Sequence, residues 1–382
     1  MALTSPRSRP GGDRSRRDLS APWRHLDPIL VVCTLAIAGL GTLMVFSATK
    51  GSGDSPDLSY VRRQVMFMAV GVAVMAAVAL IDYRKFRDWA IFLYGGMILM
   101  LLLVVSPFGS SAKGAQAWFA LGPLQFQPSE FSKLIVIISL ATLLSAWRGD
   151  IDLRRLGIAL GVAGLPMGLI LLQPDLGTML VFVAITMAML LMGGVKGRHI
   201  LILTVVGVVF VYGALQSNVL KEYQKDRLTV FIDPENADDT ASYNLNQSLI
   251  AIQSGGLSGG GLFEGKQTQL RFVPEQETDF IFTVVGEELG FIGGATFLGL
   301  FAVIVWRIWR TAALARDELG QLICVGVLAM LVFQLFESVG MTMGIMPVTG
   351  IPLPFMSYGG TTTLASFAAI GLVLNVHMRR FR

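Results

Sequence analysis

The sequence predicts an all-α, polytopic membrane protein with about ten transmembrane helices. Of its 382 residues, 53% are hydrophobic and only 15% are charged. A soluble domain carries roughly 25% charged residues because its surface must be solvated, so the composition excludes an ordinary soluble protein. Apolar stretches close to the ~20 residues that a spanning helix needs recur along most of the chain. Basic residues collect in the short connections on one side.

The apolar stretches divide the chain into a tail, a membrane domain and one large loop. Residues 1–25 are rich in Arg, Ser, Pro and Gly and predict a disordered basic tail. Residues 26–382 form a single transmembrane domain, in which residues 217–279 are a large loop between the seventh and eighth helices. Loops of this length are usually functional. The predicted spans are 28–48, 63–82, 89–106, 129–147, 156–172, 177–194, 199–216, 280–306, 319–342 and 354–376.

The positions of Lys and Arg predict how the helices are oriented. The tail, four short connections and the C-terminal end share one side and hold 20 of the 30 basic residues. Cytoplasmic loops carry the excess of basic residues, so both termini are expected in the cytoplasm, in agreement with an even number of spans. The long polar connections 107–128 and 217–279 then lie on the extracytoplasmic side, where function is expected.

Glu130 and Lys133 are charged residues at the start of a predicted span. Such side chains cost roughly 2.5–3.5 kcal/mol at membrane depth on insertion scales, so they need a role. Their spacing of three places them on one helix face. They form either an ion pair that helps the helix end to insert, or the wall of a polar cavity in which Lys133 meets an anionic substrate. Trp118, in the preceding loop, is either an interfacial anchor or a stacking platform for a sugar.

Asp279 lies at the entrance of the predicted eighth helix, behind Glu275 and Glu277. The helix dipole favours an anion there, and a simple helix cap is the alternative. The crowding of carboxylates favours a catalytic role, because a dipole-stabilised carboxylate at the membrane surface can accept a proton. Glu287 and Glu288, about 12–14 Å deeper at 1.5 Å per residue, are expected to form hydrogen bonds between helices.

Several further polar features interrupt the apolar sequence. Asp175 either caps the sixth helix or belongs to the site. The irregular segment 350–361 would stand at membrane depth, where such backbone is tolerated only in a protein interior or a cavity wall; it includes Ser357. The glycine-rich run 254–261 predicts flexible chain. Glu337 interrupts the ninth span.

Four of these motifs together resemble the SEDS family (shape, elongation, division and sporulation). They are QPSEFSK at 127–133, QPDLGT at 173–178, PEQETDFIF within 274–290 and GIPLPFMSYGGT within 346–361. The resemblance runs from Asp27 to the C-terminus, and the segments 265–270 and 272–276 are typical of the RodA-like elongation branch. Two residues depart from the pattern: Glu337 stands where Asn is expected, and Glu277 where His is common.

The resemblance implies a peptidoglycan glycosyltransferase. Such an enzyme polymerises lipid II at the outer leaflet of the bacterial cell membrane during elongation and cell-shape maintenance. The essential aspartate of the family maps onto Asp279, which is expected to act as the general base. The predicted substrate-binding residues are Glu130, Lys133, Trp118, Lys266, Arg271, Glu275 and Ser357.

The implied chemistry also sets expectations for cofactors and partners. The diphosphate leaves as an anion, so positive charge is needed near it, from Lys133, Lys266, Arg271 or a divalent cation such as Mg²⁺ or Mn²⁺. The sequence does not assign ligands for that cation, and no organic cofactor is expected. The expected partners are a class B penicillin-binding protein, other elongation-complex proteins and membrane lipid, with no nucleic acid. A lipid II flippase and a non-catalytic scaffold are the alternative functions.

Overall fold

The fold is described by a computed structural model covering residues 25–50, 58–112, 115–122, 124–147, 151–216, 231 and 239–380. The predicted tail lies outside the described residues except for His25, as does much of the first half of the predicted loop 217–279. The helices are α1 Pro28–Lys50, α2 Ser59–Leu80, α3 Tyr83–Asp88, α4 Ala90–Val105, α5 Pro128–Trp147, α6 Leu153–Leu172, α7 Leu176–Met192, α8 Gly197–Gln216, α9 Asp239–Gly255, α10 Lys266–Gln269, α11 Ile281–Ala313, α12 Glu318–Thr342 and α13 Gly360–Arg379.

The long helices are apolar enough to cross a membrane, as their composition predicts. Seven of the described helices are long and apolar enough to span, namely α1, α2, α5, α6, α11, α12 and α13. Three shorter apolar helices lie in α4, α7 and the part Gly197–Val209 of α8. These helices fall on the ten predicted spans. The polytopic, predominantly α-helical class is confirmed, and the number of helices that cross the bilayer stays a prediction.

The two ends of the bundle differ in what they carry. At one end, here called the terminal face, Arg307 of α11 donates to Asp27 at the start of α1 (2.7 Å), and Arg379 of α13 donates to the carbonyl of Ala79 (3.0 Å). At the other end, here called the loop face, the last turn of α1 meets α10 and the segment before α11. Arg271 donates there to the carbonyl of Thr49 (2.9 Å). The terminal face is therefore the end with the short connections, and the loop face is the end with the long ones.

A small sheet on the loop face was not predicted. Strands β1 (Ser110–Ala112), β2 (Ala115–Leu121) and β3 (Leu124–Phe126) are antiparallel and ordered β1-β2-β3. The side-chain amide of Gln116 donates to the carbonyl of Ser106 at the end of α4 (2.8 Å), and Phe126 stacks on Phe131 of α5 with ring centroids 5.7 Å apart. The sheet thus lies against α5 and fixes the position of Trp118. Strands β1 and β3 have only three residues each, and the seven residues of β2 (AQAWFAL) do not alternate between apolar and polar, so no strand pattern could be recognised.

Helix α11 is broken at Gly290, and the glycine-rich run 254–261 fills the break. Gly290 has φ of 62°, and a Cβ atom there would lie 2.3 Å from the amide nitrogen of Gly259. The amide of Gly260 donates to the carbonyl of Glu287 (2.9 Å), and the amide of Phe291 donates to the carbonyl of Gly256 (2.9 Å). The prediction of a flexible run was wrong, because these glycines pair with backbone groups that the helix break leaves unsatisfied.

Glu287 and Glu288 have the structural contacts that the sequence predicts. The carboxylate of Glu287 accepts from the backbone amides of Gln267 (2.7 Å) and Thr268 (2.9 Å) and so holds the first turn of α10. The hydroxyl of Ser47 in α1 donates to Glu288. Both carboxylates join α11 to its neighbours, and both are buried. They therefore fix the segment that leads back to Asp279.

Candidate active site

A cavity of about 230 Å³ opens on the loop face between the sheet, α5, the turn before α7 and the segment 347–352. Four of the predicted site residues line it together, namely Trp118, Glu130, Lys133 and Asp279. These residues are separated by up to 161 positions in the sequence. Their convergence identifies the cavity as the candidate active site.

The start of α5 supplies a buried ion pair to the cavity. The ammonium group of Lys133 lies 2.8 Å from the carboxylate of Glu130, and the side chains are only 2% and 4% exposed. The helix begins at Pro128, whose missing N–H costs nothing in the first turn. The residues are an internal ion pair that also lines a cavity, and contact of Lys133 with an anionic substrate stays a prediction. The close pairing largely cancels their charges.

Asp175 joins this wall from the turn between α6 and α7. One carboxylate oxygen accepts from the amide of Thr178 at the start of α7 (2.9 Å), and the other accepts from the side-chain amide of Gln127 (3.1 Å). Asp175 thus caps α7 and lines the cavity. Burial raises the pKa of this carboxyl above the ordinary aspartate value, and the hydrogen bonds from Thr178 oppose the shift. Sequence reasoning noted Asp175 but left it out of the predicted site, because capping explained it equally well.

Asp279 lies at the mouth of α11, as predicted, and is half-buried. Its amide donates to the carbonyl of Glu275 (3.1 Å), so the residues before α11 form a tight turn. The N-cap position of α11 is Phe280, whose side chain forms no capping hydrogen bond. Asp279 is therefore not the N-cap residue. Its place in the cavity wall beside Thr278 favours a role in chemistry.

The irregular segment 350–361 holds the backbone that carries Asp279. The hydroxyl of Ser357 donates to the carbonyl of Thr278 (2.5 Å) and accepts from the amide of Leu353 (2.8 Å). The amide of Tyr358 donates to the carbonyl of Glu277 (2.9 Å). Ser357 itself is buried and does not line the cavity. Its hydrogen bonds hold the backbone next to Asp279, and the substrate contact predicted from the sequence stays a prediction.

The remaining predicted residues do not line this cavity. Arg271 and Glu275 line a second cavity of about 200 Å³ on the loop face. Lys266 is exposed at the start of α10 and lines neither of the two cavities. Of the three basic residues proposed to offset a diphosphate, only Lys133 lies in the candidate active site.

Sequence reasoning also missed residues that the fold brings into the wall. Thr349 lines the cavity and donates to the carboxylate of Glu337 on α12 (2.9 Å). Glu337 is fully buried, so the residue that departs from the family pattern supports the cavity wall from behind. Tyr358 lines the cavity from the irregular segment. The motif GIPLPFMSYGGT contains Tyr358 and could have indicated it. Thr349 lies just before that motif, and nothing in the sequence indicated that it contacts Glu337.

Comparison with known proteins agrees with this geometry. The sequence model of the FtsW/RodA/SpoVE family of cell cycle proteins matches residues 28–381. The chain belongs to the FtsW/RodA/SpoVE family. It is 36% identical over 356 residues to the peptidoglycan glycosyltransferase MrdB of Escherichia coli K12, covering 93% of this chain and 94% of that protein. The resemblance to the SEDS family and to its RodA-like members is confirmed.

Solved structures of this family share the fold. A chain from a peptidoglycan synthase complex that coordinates polymerization and crosslinking superposes with a TM-score of 0.80 at 33% identity, covering 94% of this chain and 99% of that one. The rod shape determining protein RodA of Thermus thermophilus superposes with a TM-score of 0.72 at 31% identity, covering 95% and 100%. The family match therefore extends over the whole described helix bundle.

Proposed function

We propose that this member of the FtsW/RodA/SpoVE family polymerises lipid II into glycan strands, with Asp279 as the general base. That the chain is a peptidoglycan glycosyltransferase follows from its 36% identity to MrdB along nearly the whole length of both chains. The single observation that carries the mechanism is the cavity in which Asp279 meets the buried pair Glu130–Lys133 and Trp118. It combines a base, a charged wall and an aromatic ring.

The chemistry needs one proton acceptor and no proton donor. The donor sugar carries a diphosphate, which departs as an anion. Unlike a glycosidase, the enzyme therefore needs no acid to protonate the leaving group. The acceptor hydroxyl must lose a proton as its oxygen attacks the anomeric carbon from the face opposite the diphosphate, which inverts that carbon. Asp279 takes this proton. General base catalysis of this kind is typically worth about 10²–10⁴-fold in rate.

The diphosphate needs more positive charge than the cavity wall offers. Lys133 is the one basic residue among the residues described as lining it, and Glu130 already pairs with it, while Asp175 and Asp279 add further carboxyl groups. A divalent cation such as Mg²⁺ or Mn²⁺, when bound, would offset the charge that develops on the leaving group.

The carboxylates of the cavity fit a divalent cation that binds together with the diphosphate of the substrate. Among the described residues, no group of three or more His, Cys, Asp or Glu could hold a metal ion alone. Mg²⁺ is, however, commonly held by one or two carboxylates together with substrate phosphates. Asp175, which lines the cavity, would be the protein ligand in that mode, while Asp279 keeps its role as the base.

The setting of the reaction forms part of the same proposal. The loop face, with its cavity, faces outward from the cell membrane, and the basic terminal face lies in the cytoplasm, in line with the distribution of Lys and Arg. Lipid II then reaches the cavity from the outer leaflet, and exposed Lys266 can meet its head group outside the cavity. A class B penicillin-binding protein crosslinks the product; the solved relative whose complex coordinates polymerization and crosslinking supports this partner.

The decisive experiment is polymerisation of lipid II by the purified chain in detergent, with and without EDTA. Asp279→Asn should lower the rate by at least about 100-fold while leaving folding intact, because the amide cannot accept the proton. The matched control is Asp88→Asn, an exposed aspartate of α3 that pairs with the neighbouring Arg87; its rate should equal that of the wild type.

Other outcomes distinguish the alternative functions. Detergent micelles offer no second leaflet, so glycan product from the wild type excludes a pure flippase. A wild-type chain that makes no product, with or without its crosslinking partner, would overturn the polymerase proposal and leave the flippase and the scaffold as the candidate functions. Polymerisation by Asp279→Asn at the wild-type rate would overturn the assignment of the base.

A further inference from the structure

The second cavity on the loop face has no role in the mechanism above. It lies on the other side of the segment that carries Asp279, and its wall includes Tyr60, Arg271, Glu275, Gln276 and Glu277. Its volume is about 200 Å³, below the ~300–1,000 Å³ of a site for a drug-sized ligand. A cavity of this size has room for a single sugar ring.

The two cavities share a wall. Tyr60 of the second cavity contacts Tyr358 of the first edge to face, with ring centroids 5.0 Å apart. The backbone of Glu277, in the wall of the second cavity, accepts a hydrogen bond from the amide of Tyr358. The next two residues, Thr278 and Asp279, line the first cavity. Ligands in the two cavities would thus be separated by one aromatic pair and one stretch of backbone.

Gln276 leaves a buried acceptor in this wall. Its side chain is only 2% exposed, and its amide nitrogen donates to the carbonyls of Ala48 (2.8 Å) and Thr268 (2.9 Å). Its amide oxygen has no hydrogen-bond partner among the described residues. A buried acceptor without a partner costs about 1–3 kcal/mol. This oxygen is itself enclosed in the wall, so Gln276 holds the wall in place through its two donated hydrogen bonds.

The charges of this wall favour a neutral ligand with several hydrogen-bond donors. Among the described residues of this wall, Glu275 and Glu277 supply two carboxylates, which act as acceptors, and the hydroxyl of Thr278 already donates to Glu275 (3.1 Å). Arg271 supplies the one guanidinium of these residues and donates to the carbonyl of Thr49. The excess of negative charge and acceptors would repel a phosphate. Sugar hydroxyls and acetamido N–H groups are donors that match it, and the ring of Tyr60 adds an apolar surface with a polar end.

From these contacts we infer that the second cavity binds a neutral N-acetylated sugar of the glycan strand, beyond the sugars that react at Asp279. The inference rests on the proposed function, since it takes the strand as a substrate or product of the same enzyme. It also gives Arg271 and Glu275 a role in saccharide binding rather than in offsetting a diphosphate. A strand held in this way stays bound between successive additions, so the cavity controls product length rather than the bond-forming step.

The test is direct binding of a soluble probe to the full-length purified chain. The probe is the β-1,4-linked tetrasaccharide of N-acetylglucosamine, detected by saturation-transfer NMR. Glu277→Gln should raise its dissociation constant roughly tenfold, the loss expected for one hydrogen bond to a charged group. Tyr60→Leu should also raise it, because the aromatic surface and the hydroxyl are lost. The matched control is Glu264→Gln, an exposed carboxylate of the same loop that lines neither cavity.

A second readout separates this inference from the proposed function. Asp279→Asn should abolish polymerisation yet bind the tetrasaccharide like the wild type, whereas Glu277→Gln should still polymerise lipid II but release shorter strands. A wild-type chain that does not bind the probe, or Glu277→Gln with wild-type affinity and strand length, would overturn the inference. Thermal unfolding in detergent checks that each variant is folded.

Discussion

Two buried ion pairs lie at opposite ends of the helix bundle, and their surroundings differ. On the loop face, Lys133 lies 2.8 Å from Glu130. On the terminal face, Arg307 lies 2.6 Å from Asp27. Both pairs are hidden from solvent, and the side chain of Arg307 is only 11% exposed.

The difference lies in what surrounds each pair. The carboxylate of Asp27 also accepts from the amide of Leu30 (3.2 Å), so it caps α1 while it holds Arg307 of α11. Neither Asp27 nor Arg307 lines either of the two cavities described above. The pair Glu130–Lys133, by contrast, opens onto a cavity shared with Asp279. Burial and pairing of charge are common to both pairs, so adjacency to a cavity is what distinguishes the pair proposed to be functional.

The largest effect is expected at the loop-face pair. Lys133→Met leaves the buried carboxylate of Glu130 without its partner, which should cost about 3–5 kcal/mol of stability. The double variant Glu130→Gln/Lys133→Met removes both charges and should recover most of that stability, yet still fail to polymerise lipid II. Thermal unfolding in detergent and the polymerisation assay measure the two quantities separately.

This outcome would separate a functional pair from a structural one. A double variant that recovers both stability and activity would show that Glu130 and Lys133 act only as an insertion device. A double variant that remains unfolded would show that hydrogen bonds beyond the pair depend on its charges.

A smaller effect is expected at the terminal-face pair. Asp27→Asn should lower stability by about 1.5–3 kcal/mol, the range of a hydrogen bond to a charged group, because Arg307 can extend its charged end toward water. The rate of polymerisation per folded molecule should not change. The double variant Asp27→Asn/Arg307→Met should restore stability while keeping activity, in contrast to its loop-face counterpart. A loss of activity in the folded double variant would show that the terminal-face pair is also needed for activity.

The smallest effect is expected at Ser357, which touches neither pair. Ser357→Ala removes the hydrogen bond to the carbonyl of Thr278, at a cost of about 1 kcal/mol. Because Asp279 follows Thr278, polymerisation should slow by several-fold with little change in the affinity for lipid II. Ser145→Ala is the matched control, since that hydroxyl also donates to a backbone carbonyl, at Thr142 on α5, away from the cavity. Equal kinetics for the two variants would remove Ser357 from the positioning of Asp279.

Local sequence was sufficient to predict much of the site. Glu130 and Lys133 stood out because charge is costly in an apolar stretch, and their spacing of three predicted the observed pair. Asp279 stood out through the neighbouring carboxylates at a helix entrance. Both conclusions rest on residues only a few positions apart, where the periodicity of a helix is enough to relate side chains.

Other parts of the site could not be predicted, because they depend on segments distant in sequence. Arg271 and Asp279 are eight positions apart yet line different cavities, since the chain between them forms the shared wall. The motif around Ser357 predicts a substrate contact but gives no sign of the hydrogen bond to Thr278, which crosses 79 positions. Glu337 looked like an isolated interruption of a helix until Thr349 was seen to bond with it.

The sequence by itself determined that this chain is a multi-pass membrane protein with its polar motifs at one end of the bundle. Hydropathy and charge act residue by residue, so these properties can be summed along the chain without knowing which parts meet. Only the tertiary structure decided that Gly290 breaks α11, that a glycine run fills the break, and that two cavities flank the segment leading to Asp279. Those features arise where distant backbones satisfy each other's hydrogen bonds, and no local pattern records which partner each group will find.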